Sequence, residues 1–254
     1  MSVRWGCDWH ALFTDRFQEV PAVEVTVLDQ VPAQWSLEHL QKRLHIRPES
    51  PQARELAGLI DEAAEIARPK ALGGIAYVEE RGDDYVVVDG VRFTSRVLAV
   101  NLAETHRVFP YVATCGVELE EWAARFDDPL QRFWSEAIRD AAMRCALQSI
   151  FGHVDATYQP GETSRMNPGS LADWPIEEQV PLFRLLGDPE ARIGVQLTPS
   201  MLMVPSKSVS GIRFGAAGTF ESCMLCPRPS CPNRRAPYDP ALYEQRYRQK
   251  GTIA

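Results

Sequence analysis

The apolar positions change period several times along the chain, and each change marks an element. Residues 21–28 alternate apolar and polar side chains with β-branched residues at the apolar sites, which predicts a strand. Residues 36–44 read as a short helix ending before Pro48. Ser50-Pro51 opens a second helix, with proline at the first helical position. In it Leu56, Leu59, Ile60, Ala63 and Ile66 fall on one face, and Pro69 closes it. Short runs at 75–78, 85–88 and 91–93 predict strands, with Gly82-Asp83-Asp84 and Asp89-Gly90 as turns. Residues 108–114 predict another strand, ending at Gly116.

Pro129 begins the longest helical pattern, running to about Val154, with Phe133, Ile138, Ala141, Ala142, Cys145, Ser149 and Ile150 on its buried side. Small residues fill its middle, so another backbone is expected to pack closely there. Residues 158–168 read as a loop. Residues 175–186 read as a helix with Asp173 as its cap and Gly187 just past its end. Residues 193–197 and 208–214 read as strands, and 238–250 as one surface helix. Helices and strands mix without a βαβ rhythm, so the fold class is α+β.

Composition narrows the function classes. The chain has 254 residues, 45% hydrophobic and 24% charged, as in an ordinary soluble globular protein. A net charge of −7 argues against nucleic-acid binding and against attachment to anionic lipid by basic residues. No apolar run reaches the roughly 20 residues needed to cross a bilayer. The charged N-terminus does not read as a secretory signal, so a cytoplasmic location is expected. Six cysteines there suit thiols or metal ligands better than disulfides.

Two blocks carry candidate chemistry. In Arg165-Met166-Asn167-Pro168-Gly169-Ser170, an arginine fork can grip a carboxylate, Pro168 stiffens the loop and Gly169 lets backbone approach a ligand. A solvated arginine in a turn is the plainer reading of the same residues. The second block, 197–211, is apolar with small hydroxyls and one lysine; Met201 and Met203 read equally well as packing. Together the R-x-x-P-G loop and the block Thr198-Pro199-Ser200-Met201-Leu202-Met203-Val204-Pro205-Ser206-Lys207-Ser208-Val209-Ser210-Gly211 resemble the activation (reactivation) domain of cobalamin-dependent methionine synthase. The resemblance covers roughly residues 35–215.

The resemblance implies a twisted antiparallel sheet with mixed helices. It also implies an S-adenosylmethionine site drawn from Arg165, Pro168, Gly169, Ser170, Gln148, Lys207, Ser208, Arg213 and Phe214. The chain departs from the family at two of these. Ser170 stands where the family loop has tyrosine, and Gln148 where its long helix has an acidic residue. The function implied is reductive reactivation of a corrinoid protein: the corrinoid is methylated from S-adenosylmethionine while a flavodoxin- or ferredoxin-like donor supplies an electron. The chain has no room for a cobalamin-binding domain, so the cobalamin would be carried by a partner, a methionine synthase or methyltransferase subunit, and the chain would act in trans.

Outside that region lies Cys223-x2-Cys226-x4-Cys231, a ligand spacing for zinc or iron–sulfur centres. Cys115, Cys145, Cys7 or His10 could supply a fourth ligand, and three reduced thiols are the plainer reading. The one-electron demand of the implied reaction favours a 4Fe–4S cluster over zinc. The expected organisation is an N-terminal extension at 1–34, an activation-like domain at 35–217 and a cysteine-rich extension at 218–254. Two other functions fit these residues: a non-catalytic assembly partner with a structural zinc, and an iron–sulfur activator that does not use S-adenosylmethionine.

His39, His45, His106 and His153 show no paired spacing, and Glu177-Glu178 suits a helix start better than catalysis.

Overall fold

The computed structural model describes residues 23–216, 220–231 and 234–248. Its centre is a seven-stranded antiparallel sheet with the order β4-β3-β2-β5-β9-β6, with β1 also pairing β2. The strands are β1 (Glu24–Leu28), β2 (Lys70–Arg81), β3 (Tyr85–Val88), β4 (Val91–Thr94), β5 (Arg107–Thr114), β6 (Thr163–Met166) and β9 (Ser208–Gly215). β7 (Gln196–Leu197) and β8 (Met203–Val204) form a separate small hairpin. The helices are α1 (Leu37–Arg43), α2 (Pro51–Ile66), α3 (Arg96–Asn101), α4 (Val117–Ala123), α5 (Pro129–Tyr158), α6 (Gln179–Leu185) and α7 (Pro189–Ile193). The expected class, mixed helices around an antiparallel sheet, is the one observed.

The caps follow the sequence. Ser36, Ser50, Ser95, Asp128 and Asp188 each accept a backbone N–H at the start of a helix. One face of the sheet takes the C-terminal half of α5, where Ala146 and Ile150 meet Ala71 and Ala113. The expected close approach is real: a Cβ on Gly73 would sit 2.8 Å from Ile150 Cγ1. The other face carries the main core, with Phe93, Leu98, Met166, Trp174, Leu182, Ile212 and Phe214. A third cluster joins α1, α2, α4 and the first half of α5, with Cys115 inside it.

Several expectations change. Residues 163–166 form strand β6 because β9 offers them a ladder, pairing Arg165 with Arg213. α3 and α4 were not expected. Each is only six or seven residues long, too short for a helical period to show. Ile193 ends α7 instead of starting a strand, and Gly194 closes that helix at φ 72°. Asp173 does not cap α6; its carboxylate accepts from Val97 N–H at 2.9 Å and from Ser95 Oγ–H, at the start of α3. Phe133 is 56% exposed, because α5 turns Trp134, Ala137 and Ile138 inward instead. The tail forms one wide helical turn, Tyr243–Tyr247, exposed as expected of a surface helix except at Tyr247, which turns into the core. Phe220 and Tyr247 lie in the main core, and Tyr247 Oη donates to Asn101 Oδ1 at 3.0 Å.

Candidate functional site

Strand alternation fixes which residues meet. Arg165 and Arg213 are direct cross-strand partners, so both point to the α5 face, while Ser164 and Phe214 point to the other. Phe151 of α5 lies beneath both guanidinium groups, with ring-centroid distances of 5.5 Å to Arg165 and 4.7 Å to Arg213. Two like charges opposite each other in a sheet are destabilising unless each is offset. Arg213 is offset completely. It pairs with Asp155 at 2.8 Å and donates to Thr163 Oγ1 at 2.9 Å and to the Phe151 carbonyl at 3.1 Å.

Arg165 is not offset. Among the described residues its guanidinium makes no hydrogen bond and no ion pair; it lies over the Phe151 ring, within the field of Tyr111 and Glu221. It is half-buried, and that burial draws its pKa below the ordinary arginine value, although a guanidinium stays charged. It borders a cavity of about 190 Å³ lined by Phe151, Thr163, Ser164, Arg165, Arg213 and Glu221. Glu221 is already committed to Arg235, at 2.6 Å. The unmatched group is therefore a cation facing a small, partly polar space, and the ligand that matches it is an anion with planar oxygens.

The rest of the loop holds this geometry. Asn167 Nδ2 donates to Tyr111 Oη at 2.9 Å and to the Ser210 carbonyl at 2.6 Å. Gly211 makes room for that contact, since a Cβ there would meet Met166 O at 2.5 Å. Pro168 leads into Gly169, which turns at φ 79°, and Gly169 N–H donates to Trp174 O at 2.8 Å. Ser170 Oγ donates to Asn167 O at 2.6 Å, so its hydroxyl shapes the loop.

Several expected site residues lie elsewhere. Gln148 is exposed on α5 and does not line the cavity. Phe214 is buried in the core on the opposite face of the sheet. Ser208 begins β9 at its other end and Lys207 just precedes it, five and six residues from Arg213, which is roughly 16–20 Å along a strand. There Lys207 pairs with Glu136 at 3.5 Å, and Ser208 Oγ bonds with Thr114 Oγ1 at 2.9 Å. The sequence reading missed Phe151, Thr163 and Glu221, which reach the cavity only through the fold. A larger cavity, about 300 Å³, lies by Tyr77, Arg107, Phe109 and Pro160. None of the expected residues line it, and Arg107 is tied to Tyr158 O at 2.9 Å.

The cysteines do not assemble as expected. Among the described residues no three His, Cys, Asp or Glu side chains are grouped to hold a metal. Cys115 is buried between α4 and α5, where desolvation, followed by the charge of Glu120, pushes its thiol up to about 12. Cys145 Sγ–H donates to Gln34 O at 3.1 Å. Cys223, Cys226 and Cys231 are half-buried. Arg234 gathers the carbonyls of Cys223, Cys226 and Arg228 around its guanidinium. Cys7 and His10 fall outside the described residues.

No protein-family profile and no curated protein matches the chain. Among solved structures, the crystal structure of the MetH reactivation domain bound to AdoHcy is similar, with a TM-score of 0.54 and 16% identity over 80% of this chain and 82% of that one. At that identity the likeness is one of fold. Among the described residues, no helix is long and apolar enough to cross a membrane.

Proposed function

We propose that the chain binds S-adenosylmethionine by its carboxylate at Arg165 and presents it to the corrinoid of a separate cobalamin-carrying methionine synthase or methyltransferase subunit. In this reading it reactivates an oxidised corrinoid in trans. The observation that carries it is the unmatched, half-buried Arg165 at the mouth of a small cavity. The shared fold of a reactivation domain bound to AdoHcy supports the choice of ligand.

The residues fit one end of that ligand. A planar carboxylate satisfies the Arg165 fork, and the cavity, at about 190 Å³, is below the roughly 300–1,000 Å³ usual for whole small-molecule sites. It suits the amino-acid moiety and leaves the remainder on an open face, where a partner can reach it. S-adenosylmethionine, when bound, supplies the methyl group. The chain's own part is grip and orientation, which lowers a barrier by prepaying entropy without a nucleophile or base. Arg213, fixed by Asp155, holds Phe151 and Arg165 in register. The electron comes from a separate donor of the flavodoxin or ferredoxin class.

Calorimetry with S-adenosylmethionine and S-adenosylhomocysteine tests the reading, using the unaltered chain and Arg165→Ala. The expected result is 1:1 binding by the first and strongly weakened binding by the second. Absence of binding by the unaltered chain removes the proposal. Binding of simple carboxylates alone would turn the site into that of a generic anion module.

A further inference from the structure

The cysteine segment and the Arg165 cavity are one structure. Arg165 and Glu221 form a parallel bridge, and Phe220 N–H donates to Ser164 Oγ at 2.8 Å, so residues 220–221 extend the sheet past β6. Glu221 lines the cavity and spends its carboxylate on Arg235, while acting on Arg165 only through space. Arg235 is in turn positioned by its backbone N–H, which donates to Cys223 Sγ at 3.4 Å. The state of Cys223 is therefore two bonds removed from the carboxylate nearest the unmatched arginine.

Cys223 also has a partner. Cys226 N–H donates to Cys223 O at 3.3 Å, closing a turn between residues three apart. Such turns hold their end Cα atoms within about 7 Å, and disulfides span Cα separations of roughly 4.4–6.8 Å. Among the described residues no third His, Cys, Asp or Glu is grouped with them for a metal. Two-sulfur chemistry is what this geometry offers.

We propose that Cys223 and Cys226 form a reversible thiol–disulfide exchange site whose oxidation releases Arg235 from Glu221, so that Glu221 turns to Arg165 and closes the cavity. The oxidant is a small disulfide such as oxidised glutathione. One cysteine sulfur attacks it and expels one glutathione thiol. The second cysteine then displaces the other. The dithiol loses two electrons and two protons, one S–S bond forms as one breaks, and two thiols leave as products. The new bond draws Cys223 Sγ towards Cys226 and away from Arg235 N–H, and tightens the turn two residues from Glu221, which is why the Arg235–Glu221 pair is the contact that yields. The consequence for ligand binding rests on the proposed role of Arg165; the exchange and the closure do not.

The test treats the full chain with oxidised glutathione and maps the products by mass spectrometry. A Cys223–Cys226 disulfide is expected, lost in Cys223→Ser and Cys226→Ser and kept in Cys231→Ser. Modification of Arg165 by phenylglyoxal, mapped by peptide, reads the closure without any ligand. It should slow about tenfold on oxidation, within the usual range of coupling between sites, and Glu221→Gln should react equally in both states. Failure of the two thiols to pair, pairing with no change at Arg165, or thiols shielded by a copurifying metal each overturns the proposal. S-adenosylmethionine binding to neither state would remove the proposed function and leave the exchange result standing.

Discussion

The two ends of β9 carry similar residues arranged to opposite effect. At the Ser208 end, Lys207 meets Glu136, and Arg139 meets Glu120 at 2.6 Å and Ser206 at 3.0 Å. Those charges are spent inside the fold. At the Gly215 end, Arg213 is spent in the same way on Asp155, but its cross-strand neighbour Arg165 is not. A matched charge network is architecture; the unmatched charge beside it is the group on which the proposed function rests. The two ends also differ in how they are walled. The first is closed by α4 and α5, the second by residues 220–231 and 234–248, which pack Phe220 and Tyr247 into the main core.

The largest expected effect breaks that second wall. Tyr247→Ala removes a fully buried ring and its bond to Asn101, which should cost about 4 kcal/mol in urea denaturation. Hydrogen exchange should show β6 and residues 220–231 losing protection while α4 and α5 keep theirs.

Next is Arg139→Ala, which leaves the half-buried Glu120 carboxylate with only Ser206 N–H and Oγ–H as partners and should cost about 2 kcal/mol of stability. Ligand affinity at Arg165 should not change, and if it did the two ends would not be independent.

The converse is Arg165→Ala. It should cost about 2 kcal/mol of S-adenosylmethionine affinity, read by calorimetry, with no loss of stability, because the deletion relieves a like-charge pair. A fall in melting temperature would make Arg165 structural.

The smallest effect is pH-dependent and belongs to the closed end. The fold favours the neutral thiol of Cys115, raising its pKa from 9.0 to about 12. Its contribution is fully present below pH 9 and falls away as pH rises towards 12, with a loss on the order of 1 kcal/mol by pH 10. Melting curves from pH 8 to 10.5 should be flatter in Cys115→Ala.

What could be read beforehand was what is local. Ser50-Pro51 opens α2 and Asp89-Gly90 turns β3 into β4 because cap and turn chemistry lie within a few residues. β6 was read as a loop because Thr163–Met166 sits between Gly161 and Pro168, and its strand character comes from β9. Arg165 was legible as a fork able to hold a carboxylate. That it is left unmatched was not legible, because this depends on Asp155, Phe151 and Glu221 arriving from α5 and the tail. Lys207 and Arg165 belong to adjacent motifs in the sequence, yet one extended strand carries them apart. The cysteine spacing was legible as ligand spacing; that the fold ties the segment to the cavity through Glu221 was not, because the tie is a tertiary one.

The position of Glu221 matters for more than the cavity. β6 is the last strand of the sheet, and an open strand edge is a template for pairing with another copy of the chain. Residues 220–221 occupy that edge, through the bridge to Arg165 and the bond to Ser164. A molecule clipped before Phe220 would present a bare edge and the exposed apolar surface left by Phe220 and Tyr247, so damaged copies should leave solution by aggregation.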